Sequence, residues 1–268
     1  MHVLVRTMEQ LDAVLTMKPA SVYCEFEDIR RYRDAVSRAR VAGVPIGLAS
    51  MRVIKPGEEG FLHTIGDFAP DAVLIRNLAG LEVFREQYPN VRRIGDFSLN
   101  VANELTAELF LKEGLERLVP SYDLNWDQFA ALAAKTDAGQ LEAVVHQHMP
   151  MFHNEHCIFA ATLSNGKDHR DCGRPCDRHR VDLRDRTGAA FPLLADAGCR
   201  NTVYNAVPQS AAEYLPRMLA LGIRHFRIEL LRESPAEAIA MIERYRAALH
   251  GDTAGRDLWR SLRALNQL

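Results

Sequence analysis

The 268-residue sequence lacks any apolar run of the roughly 18 residues that a membrane-spanning helix needs. Its first ten residues, MHVLVRTMEQ, lack the pattern of a secretory signal peptide. A large excess of either charge is also missing. The formal net charge is −2 at pH 7, so the chain as a whole has no general attraction to nucleic acid or to an anionic membrane. These absences predict a soluble cytoplasmic protein without a membrane partner.

Cysteine is scarce, and the odd number of five cysteines does not suit a framework of disulfides. In a reducing compartment, clustered cysteines are more often metal ligands or catalytic groups. Four of the five cysteines and six of the ten histidines lie between His146 and Cys199. This clustering predicts either a soft-metal or iron–sulfur site, or a catalytic Cys/His pair.

Short apolar runs alternate with amphipathic helical segments along most of the chain. Eight runs read as buried parallel strands, at residues 2–6, 21–26, 45–51, 72–77, 92–97, 117–122, 141–148 and 223–230. Eight strand–helix units predict a (β/α)8 barrel over residues 1–250, with a cysteine-rich insertion, residues 149–222, after the seventh strand. A doubly wound open sheet is the alternative, but no GxGxxG motif follows the first strand.

Two smaller features complete the predicted organisation. The insertion contains a hairpin that turns near Thr187 and Gly188, and a helix beyond it. Residues 251–268 read as a C-terminal helical tail that ends abruptly. We therefore expect the chain to be a piece of a longer protein.

The cysteines have a spacing that suits one metal centre. Cys172 and Cys176 stand in the motif CGRPC, with Cys157 before them and Cys199 after them. Four thiolates suit a [4Fe–4S] cluster or a tetrahedral Zn²⁺ ion, and spacing alone does not separate the two. The basic setting, DHRDCGRPCDRHR, favours thiolates over inert buried cysteines. We prefer Cys199 as the fourth ligand to Cys24, which also reads as a small buried apolar residue.

The segment LEAVVHQHMPMFHNEHC, followed by CGRPC, resembles the U32 peptidase family, the so-called collagenase-like proteases. In this resemblance His146 takes the place of a strand histidine, Cys157 that of the family's second cysteine, and Cys172 and Cys176 that of a close pair. Pro150 replaces the family's first cysteine. The match looks closest to the C-terminal half of longer members. It implies kinship with oxygen-independent hydroxylases of ubiquinone precursors and ribosomal RNA, which carry a four-cysteine [4Fe–4S] cluster.

Polar residues at the ends of the predicted strands are expected to meet at the mouth of the barrel, where catalytic groups of this fold lie. His146 and His148 alternate on the seventh strand, so only one of them can point inward. The catalytic candidates are His146, His148, Asp96 and Glu25, the last two as possible bases. The substrate-binding candidates are Arg52, Lys55, Arg76, Asn100 and Tyr122. His153 lies in the loop beyond the seventh strand.

Three functions fit these residues. The preferred one is a [4Fe–4S] enzyme that performs oxygen-independent hydroxylation on a small aromatic molecule or an RNA base, with an electron donor or a partner subunit. The second is a metal- or cysteine-dependent peptidase, although the sequence has no HExxH or GxSxG motif and no assured Cys/His dyad. The third is a non-catalytic scaffold that binds Zn²⁺.

Overall fold

The computed structural model describes residues 1–166, 170–262 and 265–266. Parts of the predicted insertion (167–169) and of the predicted tail (263–264 and 267–268) lie outside the described residues. The strands are β1 (His2–Val5), β2 (Ser21–Cys24), β3 (Ile46–Ala49), β4 (Ala72–Ile75), β5 (Arg92–Gly95), β6 (Arg117–Leu118), β7 (Glu142–Gln147), β8 (Pro150–Asn154), β9 (Val181–Arg184), β10 (Ala190–Ala195), β11 (Asn201–Tyr204), β12 (Gln209–Ser210), β13 (His225–Glu229) and β14 (Leu265–Asn266).

Helices follow most of the parallel strands. They are α1 (Met8–Thr16), α2 (Arg31–Ala42), α3 (Gly60–Asp67), α4 (Leu78–Gln87), α5 (Glu104–Lys112), α6 (Trp126–Lys135), α7 (Ile158–Leu163), α8 (Leu215–Ala220), α9 (Pro235–His250) and α10 (Gly255–Leu262). Side-chain caps begin several of them. The oxygens of Thr7, Asn77 and Ser234, for example, each accept a backbone N–H of the first helical turn. Within the described residues, no helix has both the length and the apolar character needed to cross a membrane.

The main sheet is parallel in the order β7-β13-β1-β2-β3-β4-β5-β6, and each of its eight strands falls within a run predicted from the sequence. The sheet curls, and one isolated bridge between Leu118 and Leu141 joins β6 to the residue before β7. A full ladder does not form there, because the short strand β12 pairs with Gln147 and His146 along the upper part of β7. The structure is thus a curled parallel sheet with surrounding helices, and complete closure into a (β/α)8 barrel stays a prediction.

Side chains on the outer face of the sheet pack against the helices in one large apolar core. The inner face is different. An apolar layer that includes Leu4, Leu74 and Ile94 is followed by buried charges. Arg227 is fully buried, and its guanidinium donates to Glu142 at 2.6 Å and to Asp96 at 2.7 Å. The interior of the curl is therefore held largely by ion pairs.

The insertion forms a second sheet, antiparallel in the order β8-β11-β10-β9, which lies beside the carboxyl ends of the parallel strands. The predicted hairpin is present between β9 and β10, where Asp185 accepts backbone N–H groups of the turn and Gly188 has a φ of 90°. Arg200 fastens the insertion to the loop after β3. Its buried guanidinium donates to Glu58 at 2.8 Å and to Glu155 at 2.7 Å.

Candidate functional site

The structure brings four cysteines to one cavity of about 480 Å³. Cys157, Cys172, Cys176 and Cys199 all line it, together with residues that follow β2 and β3, including Glu27, Ile29, Glu58 and Phe61. Cys24 is absent from this lining, because its side chain is fully buried in the apolar core between the sheet and the helices. Of the two candidates for a fourth ligand, only Cys199 shares a cavity with the other three.

Local backbone geometry directs the sulfur atoms. Cys157 caps α7, and its Sγ accepts the N–H of Ala160 at 3.5 Å. Cys172 Sγ accepts the N–H of Arg174 at 3.4 Å. Arg174 and Cys199 both adopt left-handed φ values, 52° and 62°, which are uncommon for residues with a Cβ and recur at functional sites. N–H groups that point at sulfur are a usual feature of iron–sulfur ligation.

Two of the thiols, those of Cys176 and Cys199, lie in surroundings that disfavour the free thiolate. Burial raises the pKa of Cys176, and the neighbouring carboxyl group of Glu27 raises it further. Burial, followed by the nearby Cys157, raises the pKa of Cys199 to about 11. A bound cation inverts this balance, because its positive charge stabilises the thiolate form.

The distances between the thiols bear on the kind of metal centre that they suit. Zinc bound tetrahedrally at 2.3 Å places its sulfur ligands about 3.8 Å apart. Across the described part of the chain, the only group of three or more potential ligand atoms within 4.8 Å of one another is that of Glu27, Cys176 and Asp177. No three cysteine sulfurs meet that limit, and a cavity lies between them. Four thiols that line one cavity are a donor set that suits a polynuclear cluster.

The two carboxylates predicted as bases are held in ion pairs at the carboxyl ends of the parallel strands. Arg76 donates to Asp96 at 2.7 Å and also bonds Glu25, which accepts a second bond from Arg6 at 2.8 Å. Burial opposes ionisation of Glu25, but Arg76 and Arg6 outweigh it and hold its pKa below the ordinary value. Arg227 and Arg76 likewise outweigh burial and lower the pKa of Asp96. Both groups are thus stable carboxylates, an arrangement that favours a structural role over proton transfer.

Of the three cations predicted to bind substrate, two already have acidic partners. Arg76 bonds Glu25 and Asp96, and Lys55 pairs with Glu155 at the surface. In the described part of the structure, no hydrogen bond or ion pair engages Arg52. Its half-buried guanidinium lies 4.9 Å from the centre of the Phe97 ring. Burial, with a smaller contribution from Arg76, lowers the pKa of Arg52.

The ring of Phe97, which the Arg52 guanidinium contacts, also stacks with an aromatic neighbour. Tyr122 stacks on Phe97 with ring centres 4.3 Å apart and an angle of 9° between the planes. The Tyr122 hydroxyl donates to Glu229 at 3.2 Å, and burial raises its pKa well above the ordinary value. Asn100 is exposed in a left-handed conformation beyond the short turn that contains Phe97, and it does not line the cysteine cavity.

The predicted catalytic histidines lie away from the cysteine cavity. His146 is fully buried with its Nδ1 3.3 Å from the hydroxyl of Tyr245 on α9, and burial lowers its pKa to about 3. His148 Nδ1 lies 2.8 Å from the carbonyl oxygen of Asn205. His153, in contrast, lines a pocket at the mouth. Neither His146 nor His148 lines the cysteine cavity, and a catalytic role for them stays a prediction.

Asp196 is a candidate that sequence reasoning missed. It lines both the cysteine cavity and the smaller pocket, of about 30 Å³, that Arg52 and His153 share. Its Oδ1 accepts the backbone N–H groups of Gly198 and Arg200, both at 2.9 Å, and so shapes the turn that carries Cys199. Burial raises the pKa of Asp196 to about 6. The only signal in the sequence was the turn-forming pattern DAG before that cysteine.

The family model of peptidase family U32 matches residues 26–267, which is most of the chain. The chain belongs to this family. Among curated proteins, tRNA hydroxylation protein P of Haemophilus influenzae is similar, with 24% identity over 103 residues. The match covers 38% of this chain and 22% of that protein, so this U32 protein aligns with only about a fifth of its relative. The resemblance to the U32 family that was inferred from the cysteine segment is confirmed.

Two solved structures are also similar to this U32 protein. The U32 peptidase Mk0906 is 14% identical, with 55% of this chain and 69% of that chain covered and a TM-score of 0.44. A structure described as "Native KDPGal structure" is 12% identical, with 93% and 95% covered and a TM-score of 0.50. At such identities, the second likeness shows a shared fold and nothing about activity.

Proposed function

We propose that this U32 protein holds a [4Fe–4S] cluster on Cys157, Cys172, Cys176 and Cys199 and takes part in the hydroxylation of an RNA base. One observation carries the proposal. Four thiols, brought from separate segments of the insertion, surround a cavity in which no three of them are close enough for a mononuclear zinc site. The similarity to tRNA hydroxylation protein P supports RNA as the substrate class.

When bound, such a cluster supplies one-electron redox chemistry. The chain's own residues hold and shield its ligands. The left-handed turn at Arg174 and the turn shaped by Asp196 orient the sulfurs of Cys172 and Cys199. Phe61 and Ile29 form an apolar wall of the cavity and limit the entry of water. Hydrogen bonds to the ligands and apolar groups around them tune the reduction potential of a metal centre.

The net reaction replaces a C–H bond of the base by C–O–H. The base loses two electrons and gains one oxygen atom. An oxygen-atom donor other than dioxygen supplies that atom and takes up the electron pair, so atoms and electrons balance. Barrel-mouth residues next to the cysteine cavity would bind the base and the donor.

A cysteine-dependent peptidase is less well supported. Hydrolysis needs a thiolate and a base within hydrogen-bond reach of it. Burial raises the pKa of Cys176 and Cys199, and in the described residues no histidine is hydrogen-bonded to a cysteine sulfur. Without such a pair the thiols are suited to ligation.

The first test is anaerobic purification followed by visible absorption spectroscopy and by quantification of iron, sulfide and zinc. We expect a broad charge-transfer absorption and about four irons per chain, both lost in Cys172→Ala. A protein that stays iron-free after anaerobic reconstitution, or that holds one zinc instead, contradicts the cluster.

The second test addresses the reaction. Nucleosides from the tRNA and ribosomal RNA of cells with and without the gene are compared by mass spectrometry. We expect one nucleoside, heavier by one oxygen atom, to depend on the wild-type gene and not to be restored by Cys172→Ala. Identical nucleoside profiles with and without the gene contradict the RNA assignment.

A further inference from the structure

A small pocket lies between the carboxyl ends of β2, β3 and β4 and the antiparallel sheet of the insertion. Its volume of about 30 Å³ has room for about two waters, or for the edge of a larger molecule. Arg52 enters from the loop after β3, His153 from β8, and Asp196 from the end of β10. Elements from both sheets thus contribute polar side chains to one space.

Two of these side chains have a buried polar atom without a hydrogen-bond partner in the described structure, and the third, Arg52, is partly exposed. Asp196 Oδ2 and His153 Nε2 are buried and have no hydrogen-bond partner, although they lie 3.8 Å apart. No hydrogen bond or ion pair in the described residues engages Arg52. Most buried polar groups in proteins have partners, and an unsatisfied one is destabilising. An acceptor and donors left open in one pocket indicate a ligand that offers both.

The surroundings of the pocket favour a planar ligand. The guanidinium of Arg52 lies on the ring of Phe97, which is itself stacked on Tyr122. Arginine and aromatic planes of this kind stack with bases in RNA-binding proteins. In addition, Asp196 and Ala197 line both this pocket and the cysteine cavity, so a ligand bound here lies against the cavity wall.

We propose that Arg52, His153 and Asp196 bind the hydrogen-bonding edge of the target nucleobase. Asp196 Oδ2 accepts a ring N–H, and Arg52 donates to the neighbouring carbonyl oxygen. Such a lactam edge, an N–H beside a C=O, satisfies the acceptor and the donor together. The pocket takes the edge alone, and the rest of the ring remains outside it, beside the guanidinium of Arg52. This inference rests on the proposed function for its choice of RNA as substrate.

Asp196→Asn is the most specific test of the proposal, because the two oxygens of Asp196 make different contacts. Oδ1 accepts the N–H groups of Gly198 and Arg200 and shapes the turn of Cys199. Asparagine retains an oxygen for these bonds and replaces Oδ2 by an NH₂ donor. The variant therefore keeps the turn and inverts the hydrogen-bonding pattern offered to the base. Arg52→Met is the second variant, since it keeps the bulk of the side chain and removes its donors.

The measurement is the affinity of the iron-loaded protein for UMP, GMP, CMP and AMP, by ligand-observed NMR. We expect the wild type to prefer UMP and GMP, which have a lactam edge. Both variants should weaken that binding about tenfold or more, the usual effect of losing a hydrogen bond to a charged group. Arg244→Met, at an exposed site on α9, is the control and should bind like the wild type. Iron content should be the same in all four proteins.

Two results overturn the assignment. One is a wild type that binds none of the four nucleotides, and the other is an Asp196→Asn protein that retains iron and wild-type affinity. If Asp196→Asn loses iron, Arg52→Met is used in its place. An Arg52→Met protein that retains iron and wild-type affinity then overturns the assignment. Nucleotide binding requires no turnover. The protein could therefore prefer UMP and GMP although no hydroxylated nucleoside depends on its gene. That pair of results would support the pocket and contradict the proposed reaction.

Discussion

At the scale of single residues, Cys24 and Cys199 show that the same type of side chain has different properties in different surroundings. Cys24 in β2 is fully buried among apolar side chains, and burial raises its pKa. Cys199 is half-buried in a left-handed turn and faces a cavity with three further thiols. A cysteine in an apolar core acts as a small hydrophobic group, whereas thiols that share a cavity can share a metal.

We therefore expect Cys24→Ala to keep the iron content of the wild type and to lose about 1 kcal/mol of stability through the small void it leaves. Cys199→Ala should lose most of the iron. Iron analysis of anaerobically purified variants and thermal denaturation measure the two effects. Loss of iron from Cys24→Ala with retention in Cys199→Ala would show that the ligand assignment is reversed.

At the scale of elements, the hairpin of β9 and β10 presents arginines at the edge of the insertion sheet. Arg180 directly precedes β9 and Arg184 ends it, and both are exposed. The aspartates of the hairpin have other partners, because Asp182 pairs with Arg232 and Asp185 bonds its own turn. No carboxylate within the described ranges pairs with Arg180 or Arg184. The edge thus suits RNA phosphates.

Replacing both residues, Arg180→Gln with Arg184→Gln, should weaken RNA binding several-fold and uniformly across sequences. The slope of log K against log salt concentration should become less steep by about 1.5. Filter binding of bulk tRNA at several salt concentrations measures both quantities. Arg244→Gln with Arg256→Gln removes the same charge from exposed helical sites and should change neither. An equal effect of the two pairs would contradict a specific surface.

The strands and turns also show which parts of the fold can be predicted from the sequence. Apolar runs predicted the eight parallel strands, and the turn residues near Gly188 predicted the hairpin, because both depend on local chemistry. The pairing of β8 with β11 was not predicted, since it joins segments far apart in the chain. Convergence of Glu25, Arg76 and Asp96 followed from the strand order. Their mutual pairing, which leaves Arg52 without a partner, depends on three-dimensional distances that no motif encodes.

At the scale of the whole molecule, the curled sheet encloses charges in place of a purely apolar interior. Glu142 bonds both Arg227 and Arg117, and the hydroxyl of Tyr23 donates to it at 3.0 Å. Breaking a buried ion pair by removing one partner is strongly destabilising, because it leaves a buried charge uncompensated. Glu142 and Arg227 lie within runs that the sequence predicts as buried strands. A charged residue in such a run was the sequence signal for a buried ion pair.

Buried histidines make stability depend on pH. Burial lowers the pKa of His146 to about 3, below the unfolded value of about 6.5. The unfolded state therefore binds more protons below pH 6.5, and stability falls as the pH falls. Between pH 7.5 and 5.5 this one group removes about 1.4 kcal/mol. In His146→Gln, Tm should fall over that interval by about 4 °C less than in the wild type, by scanning calorimetry. An identical decrease in both proteins would contradict this assignment.

The cysteine cavity is assembled from distant parts of the chain, from residues after β2 and β3 and from the insertion between Cys157 and Cys199. On the ribosome, β1 to β6 are synthesised before any of these four thiols emerges. The lining is complete only when Cys199 has been synthesised, and Arg200, which bonds Glu58, and β11 follow directly. A nascent chain that ends before β11 would display thiols without walls around them. Insertion of the proposed cluster would therefore belong to the last steps of maturation, after most of the parallel sheet has been synthesised.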